Sequence, residues 1–384
     1  MQKIILKPGK EKALLRKHPW IFSGAIASDR GAEDGEMVMV CANDQSILGY
    51  GHYQSRGSIS VRMLSFGSQP LAFDFWNTRL QNALELRKKL NLIRPDNEIF
   101  RLIHGEGDGL PGLIIDVYGK HAVVQPHHLG MVRSVSAIVS GLKSLDYSLE
   151  TIYIKHPDKN SNATDEFVLG DTEETVALEN GVPFRVNWVT GQKTGFFIDQ
   201  RENRHLLGSL CNGKSVLNLF SYSGGFSMYA IKNNASKVTS VDISQKAIDL
   251  CNANAELQQD VEVHHGVAED VLAFLRDSEE VYDIVIVDPP AYAKSLKKKH
   301  SAVQGYKRLN AEAFKHVKKG GFMLTFSCSQ VVDRELFYNT ITAAGIEAGV
   351  EARVLQHLGQ GPDHPVNLFH PEGSYLKGLW MEVN

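Results

Sequence analysis

Residues 283–287 read Asp-Ile-Val-Ile-Val and run straight into Asp288, Pro289 and Pro290. Ile and Val on both sides of the run mark a strand buried on both faces, as in a parallel sheet. Proline cannot donate to a sheet ladder, so the strand stops at Asp288 and the chain leaves in an extended turn. A carboxylate is thereby held at the carboxyl end of a central strand, the edge where open α/β sheets bind ligands. A second strand-like run, residues 322–326, ends in Ser327, Cys328 and Ser329. If the two strands are parallel neighbours, Asp288 and Cys328 face one cleft, and a thiol beside a carboxylate points to covalent catalysis. A cysteine after a strand is ordinarily a small core residue. Cys41, Cys211 and Cys251 are read that way. Cys328, between two hydroxyl residues at the functional edge, is read as a nucleophile.

The chain ahead of this edge alternates strand and helix signals. Residues 216–220 form a strand, followed by a tight turn through Ser223, Gly224 and Gly225 and then a helix. A second strand, residues 237–241, ends in Asp242, 18 residues after Gly224. A third, residues 261–263, leads to Glu269 and Asp270. Alternation of this kind with right-handed crossovers gives a doubly wound α/β sheet. A glycine turn followed by a ribose-binding acid fits NAD or S-adenosylmethionine. NAD requires G-x-G-x-x-G so that its pyrophosphate can approach the helix. Gly224-Gly225-Phe226-Ser227-Met228-Tyr229 lacks that pattern, which favours S-adenosylmethionine, with Asp242 on the ribose and Asp270 on the adenine amino group.

Asp-Pro-Pro after a strand can orient a planar nitrogenous acceptor. Amino methyltransferases place an aromatic directly after the prolines; here that position is Ala291, and Tyr292 comes one later. Cys328 offers another route. Cytosine C5 is too weak a nucleophile to take a methyl group unaided, and a thiolate adding at C6 makes C5 enamine-like. Asp288, as carboxylate or acid, would stabilise the adduct near N3 and the exocyclic amine. The base that removes the C5 proton is not identifiable.

The 384 residues suggest two or three domains. Residues 1–68 carry short apolar runs punctuated by glycines, as in a small β-barrel. Residues 69–180 read as a central α+β domain. A helix spans about 73–90 with Trp76, Leu80, Ala83, Leu84 and Leu90 on one face and Arg79, Arg87 and Lys88 largely off it. A Gly-, Asp- and Pro-rich hairpin follows at 101–116, and a polar loop runs from Lys159 to Asp165. A metal site at Glu106 and Asp108 is disfavoured. The turn at Glu179-Asn180-Gly181-Val182 marks the start of the last domain, 181–384. Residues 375–383 read as a final strand.

No apolar run approaches the ~20 residues of a membrane span, and the first residues lack a signal peptide's pattern. Four scattered cysteines without CxxC spacing argue for a reducing cytoplasm and no zinc site. A net charge of −3 argues against a general nucleic-acid binder. The charge is uneven, however. Lys294, Lys297, Lys298, Lys299 and His300 follow the Asp-Pro-Pro turn and are read as a phosphate-contacting rim.

Together, residues 218–225, Asp288-Pro289-Pro290, Ser327-Cys328-Ser329 and residues 193–201 resemble the large-subunit rRNA methyltransferase I family. So do residues 105–112 and Asp363-His364-Pro365. The resemblance covers essentially the whole chain. It implies an N-terminal PUA-like RNA-binding domain, a central α+β domain and a Rossmann-like class I methyltransferase domain. It implies S-adenosylmethionine-dependent formation of 5-methylcytosine in 23S rRNA, or in a large-subunit assembly intermediate, with Cys328 as nucleophile. It also suggests a homodimer. Phe220, Ser223, Gly224, Gly225, Asp199 and Arg201 would join Asp242 and Asp270 at the cofactor. Pro289, Lys193 and Asp363 would join the lysine rim at the RNA. Asp199, Arg201 and Asp363 are also the candidates for the elimination base. The remaining readings are methylation of another base or an amino acceptor at Asp288, and a non-catalytic rRNA-binding assembly factor.

Overall fold

The computed structural model describes residues 1–157, 163–293 and 295–384. Lys294 and residues 158–162, part of the expected polar loop, lie outside them. The protein divides into two compact units, each assembled from three stretches of chain. One comprises Met1–Thr175, Val186–Gly195 and Pro362–Gly373; the other comprises Val176–Arg185, Phe196–Gly361 and Ser374–Asn384. The expected turn at Asn180 and Gly181 exists, with φ of 50° and 74°, and joins the hairpin strands Glu174–Glu179 and Val182–Asn187. Both strands of that hairpin are shared between the units.

The first unit begins with a six-stranded sheet drawn from Lys3–Leu6 through Ile59–Phe66, around a core that includes Ile4, Leu6, Val38, Val40 and Val61. Gly49 and Gly51 sit where the backbone of residues 62–66 passes so closely that any side chain would overlap it. A five-stranded sheet follows, with the helices Phe75–Lys89 and Val135–Lys143 packed on it. The Phe75–Lys89 helix buries Leu80, Ala83 and Leu84 as its periodicity requires. It also buries Arg87, contrary to the sequence reading. Arg87 forms a two-pronged pair with Asp108 at 2.6 and 2.8 Å and donates to the carbonyls of Arg101 and Asp363. A guanidinium is enclosed only where its donors are met, and here they are.

In the second unit a seven-stranded sheet is built from β1 (Ser215–Leu219), β2 (Lys237–Asp242), β3 (His264–Ala268), β4 (Tyr282–Val287), β5 (Val317–Ser327), β6 (Ala352–Leu358) and β7 (Lys377–Val383). The order is β3-β2-β1-β4-β5-β7-β6. The first five strands are mutually parallel, and β7 runs antiparallel between β5 and β6. Ile284 to Val287 of β4 are fully buried, which accounts for their unbroken Ile/Val character. One strand differs from expectation. Residues 261–263 form a 3-10 turn, and β3 begins at His264, where pairing with Val238 starts.

Among the described residues six helices accompany this sheet: α1 (Arg201–Gly208), α2 (Gly225–Lys232), α3 (Gln245–Ala255), α4 (Val271–Asp277), α5 (Lys299–Lys315) and α6 (Arg334–Ala348). Sequence order and chain reversal place the carboxyl ends of β1, β2, β4 and β5 and the amino end of β7 at one edge. Among the described residues no helix is long and apolar enough to cross a membrane.

Candidate active site

The site is assembled at that edge of the second unit. The loop after β1 is unusual: Phe220 and Tyr222 have φ of 59° and 45°, and Gly224 has 77°. Positive φ in bulky residues costs energy and persists where surrounding contacts impose it. Those contacts are identifiable. Tyr222 N–H donates to Asp242 Oδ2 at 3.0 Å, and Asn254 Nδ2 donates to the Ser223 carbonyl at 2.8 Å. The Phe197 ring meets Tyr222 edge-on at 5.2 Å. A Cβ on Gly224 would overlap the sulfur of Cys251, and one on Gly225 would press on the Arg204 side chain at 3.1 Å. Arg204 is itself enclosed, pairing with Glu179 through two 2.8 Å bonds and donating to the Phe197 carbonyl.

Asp242 ends β2. Its Oδ1 accepts from Ser244 N–H at 2.9 Å. Each carboxylate oxygen has a second lone pair, so capacity for a pair of hydroxyls remains. Asp270 is exposed and caps α4 through Oδ1, which accepts from Ala273 N–H at 3.0 Å. Asp199 is nearly enclosed and its Oδ2 accepts from the Tyr375 hydroxyl at 2.6 Å. Arg201 is buried and its Nε donates to Glu202 at 3.1 Å.

Asp288 and Cys328 do end neighbouring parallel strands, with Val287 of β4 opposite Thr325 of β5. Gln200 Nε2 donates to Asp288 Oδ2 at 2.9 Å, and Asn203 in turn donates to Gln200 Oε1 at 2.6 Å. Pro289 is buried behind the carboxylate. The loops that follow the two strands are tied together, because Ser329 Oγ donates to the Ala293 carbonyl at 2.8 Å. Ser327 Oγ donates to the Tyr306 hydroxyl at 3.0 Å, fixing the start of the Cys328 turn on α5. Cys328 is partly accessible, whereas Cys41, Cys211 and Cys251 are sealed. Burial pushes the thiols of Cys211 and Cys251 up to about 12.

Four residues at this edge escaped the sequence reading: Gln200, Asn203, Tyr375 and Lys377. Lys377 is 4% exposed and opens β7, opposite Ser327. A lysine heading a mostly apolar terminal strand was the available signal. Gln200 gave none beyond its place between Asp199 and Arg201.

The RNA-contact residues fall differently. Lys297 and Lys298 are exposed in the turn ahead of α5, and Lys299 opens that helix. Lys193 belongs to the first unit and is exposed at φ 50°. Asp363 also belongs to the first unit and is fully enclosed. Its Oδ2 accepts from Arg101 N–H at 3.0 Å and its Oδ1 lies 3.0 Å from His364 Nδ1. An enclosed carboxylate so engaged fits a structural pin, not an RNA contact or a proton acceptor for a base. Residues of metal-ligating type come together at His18, His370 and Glu372 of the first unit, with ligand atoms within 4.8 Å.

Two family models match the chain: a PUA-like domain over residues 4–66 and an S-adenosylmethionine-dependent methyltransferase over residues 118–360. The chain is 38% identical over 389 residues to ribosomal RNA large subunit methyltransferase I of Aeromonas salmonicida, covering 98% of each. It is 36% identical over 394 residues to the protein of that name from Escherichia coli, covering 99% of each. A Streptococcus mutans protein described as a methyltransferase shares the fold over the full length of both chains, with a TM-score of 0.85 at 23% identity. A methyltransferase structure complexed with S-adenosylhomocysteine superposes with a TM-score of 0.87, also at 23% identity and full coverage. The expected PUA-like domain, methyltransferase domain and S-adenosylmethionine cofactor are therefore those of this chain.

The residues present fit that cofactor. Ser221 Oγ is buried in the β1 loop with no hydrogen-bond partner among the described residues. Such a group is stable where a ligand completes it. The loop has no side chain at Gly224 or Gly225, and the Asp242 carboxylate closes one end of it.

Proposed function

The chain belongs to the ribosomal RNA large subunit methyltransferase I family, and on that premise we propose that it methylates C5 of a cytosine in 23S rRNA through a covalent Cys328 adduct. The observation that carries this reading is the position of the accessible thiol. Of four cysteines, Cys328 alone is not sealed, and it stands at the ligand-binding edge on the strand next to Asp288.

When bound, S-adenosylmethionine supplies an electrophilic methyl group on a sulfonium and leaves as S-adenosylhomocysteine. Phe220, Ser223, Gly224 and Gly225 would form its cradle, Asp242 would hold the ribose hydroxyls and Asp270 the adenine amino group. Asp199, in the 3-10 turn before α1, and Arg201, the first residue of α1, would flank the cradle. The Cys328 thiolate forms a bond from Sγ to C6 of the ring, and the C5–C6 π electrons shift to C5, which becomes the nucleophile for the methyl group. Asp288, oriented by Gln200, bonds the exocyclic amine and, as the acid, N3, so that charge pushed into the ring is met. After methylation the C5 proton is lost to a base at the site. The C5=C6 double bond re-forms as the C–S bond breaks, and Cys328 is returned as thiolate.

RNA is the acceptor that the PUA-like domain and the relatives' names support. A local conflict supports it as well. Helix amino ends favour negative charge, yet Lys297, Lys298, Lys299 and His300 precede or open α5 with no acid in its first turn. Cations placed against a helix dipole gain their place from an anion, and phosphates beside the Asp-Pro-Pro turn meet that requirement. Lys193, exposed on the first unit, is a separate proposed RNA contact, whereas Pro289 is buried and is not one. Cytoplasmic location and a homodimer are further parts of this reading, the second to be read from sedimentation of the purified protein.

The test is methylation of unmodified 23S rRNA with radiolabelled S-adenosylmethionine, by the protein and by Cys328→Ala, with the labelled nucleoside identified after digestion. Label in 5-methylcytidine that is lost in the variant is the expected result. Label in another nucleoside, or full activity without the thiol, overturns the covalent reading. Cofactor binding with no transfer to any rRNA indicates an assembly factor.

A further inference from the structure

Lys377 carries an inference about the same site, and it rests on Cys328 being the nucleophile. We propose that Lys377 is a positioning residue that clasps the Cys328 turn from within and supplies the positive charge that keeps Cys328 as a thiolate.

Because β7 is antiparallel, its first residue lies at the edge where β5 ends, and Lys377 pairs with Ser327, the residue before Cys328. Its Nζ donates to the carbonyls of Ser329 at 2.6 Å and Val332 at 2.7 Å. The ammonium thus fastens the turn that follows Cys328. An ammonium has three donors, and the two carbonyls take two.

Its charge balance is the second observation. An enclosed ammonium is costly unless an anion offsets it. Among the described residues Lys377 makes no ion pair with a carboxylate. The charged groups facing it are Asp333 and Arg334 from the start of α6, and Cys328. Asp333 is exposed and already caps α6 through Leu336 N–H at 2.8 Å, so water screens it. Tyr306 of α5 also faces Cys328, with its hydroxyl pushed upward mainly by burial and further by the thiol's charge. The close anion available to Lys377 is therefore the Cys328 thiolate. Burial draws Lys377 down to about 8 and the Cys328 charge acts against that. The thiol proton goes to solvent, and no other bond changes.

A lysine that only braces a loop gives a different result from one that also sets the thiol. The experiment follows the rate of iodoacetamide alkylation of Cys328 against pH, reading the Cys328 peptide by mass spectrometry. It compares the protein with Lys377→Gln, Lys377→Met and Lys377→Arg. Gln keeps a donor for the carbonyls and loses the charge, so it answers even if Met fails to fold. Gln is expected to move the alkylation midpoint to higher pH and to slow the reaction at neutral pH about tenfold. Methyl transfer should fall with it and its pH optimum should rise, while Arg restores both in part. An unmoved alkylation profile in Gln overturns the proposal and leaves Lys377 a brace, whatever happens to activity. Full methyl transfer by Cys328→Ala overturns it by another route, by removing the nucleophile itself, so the two failures are distinguishable.

Discussion

The side-chain amide of Gln200 and the carboxylate of Asp288 meet at 2.9 Å across 88 residues of sequence. The bond orients the carboxylate without neutralising it. A hydrogen bond to a charged group contributes about 1.5–3 kcal/mol. Gln200→Leu should therefore lower kcat about 10- to 100-fold, with cofactor affinity by calorimetry unchanged. Gln200→Glu should set two carboxylates against each other, raising the pH needed for activity.

Thiol chemistry offers a direct check on burial. Iodoacetamide at neutral pH should modify Cys328 of the native protein and spare Cys41, Cys211 and Cys251, which are enclosed and, for the latter two, held near 12. Intact mass should show one adduct before unfolding and four after it. Early labelling of Cys251 would mean that the loop above it opens.

Arg204 and Glu179 form an enclosed pair that also bonds Tyr229, whose hydroxyl donates to Glu179 Oε1 at 3.1 Å. Removing one partner strands a buried charge, at a cost of about 3–5 kcal/mol. Urea unfolding should show that loss for Glu179→Gln or Arg204→Met. The pair of replacements Glu179→Leu with Arg204→Met should cost less than the sum of the singles.

Gly224→Ala should fail twice, by positive φ and by overlap with Cys251. Affinity for S-adenosylmethionine should fall about 5- to 150-fold, since loop strain of roughly 1–3 kcal/mol is added. Adding Cys251→Ala relieves the overlap alone, so calorimetry should recover only part of the loss.

The α5 lysines act through phosphates. Lys297→Glu with Lys298→Glu should weaken RNA binding and flatten its salt dependence by about 0.7 in log–log slope for each phosphate no longer neutralised. The kcat at saturating RNA should be little changed. A slope equal to the parent's would return these lysines to an ordinary solvated turn.

How much of this was legible in sequence depended on how local each cause is. Asp288 could be read because prolines end a strand unaided, and Asp242 because a glycine turn and a strand end set its spacing. Gly107 is also local in kind, though its reason is not: a side chain there would overlap the Pro365 carbonyl, far away in sequence. Lys377 and Gln200 reach the edge only through sheet register and the antiparallel insertion of β7, and neither leaves a periodic trace. Arg87 was misread because its partner, Asp108, lies on a loop that helical periodicity does not see. Asp363 was read as an RNA contact and a candidate elimination base, because its enclosure comes from Arg101 and Arg87, far away in sequence.

The chain passes between its two compact units five times, at 175/176, 185/186, 195/196, 361/362 and 373/374. No single cut frees either unit intact. Exchange of parts between relatives must therefore move three separated stretches together, and a simple crossover chimera within residues 176–373 would mix parents inside both cores. Recombination among such proteins should be tolerated mainly where whole chains are swapped, which favours divergence by point substitution over shuffling of modules.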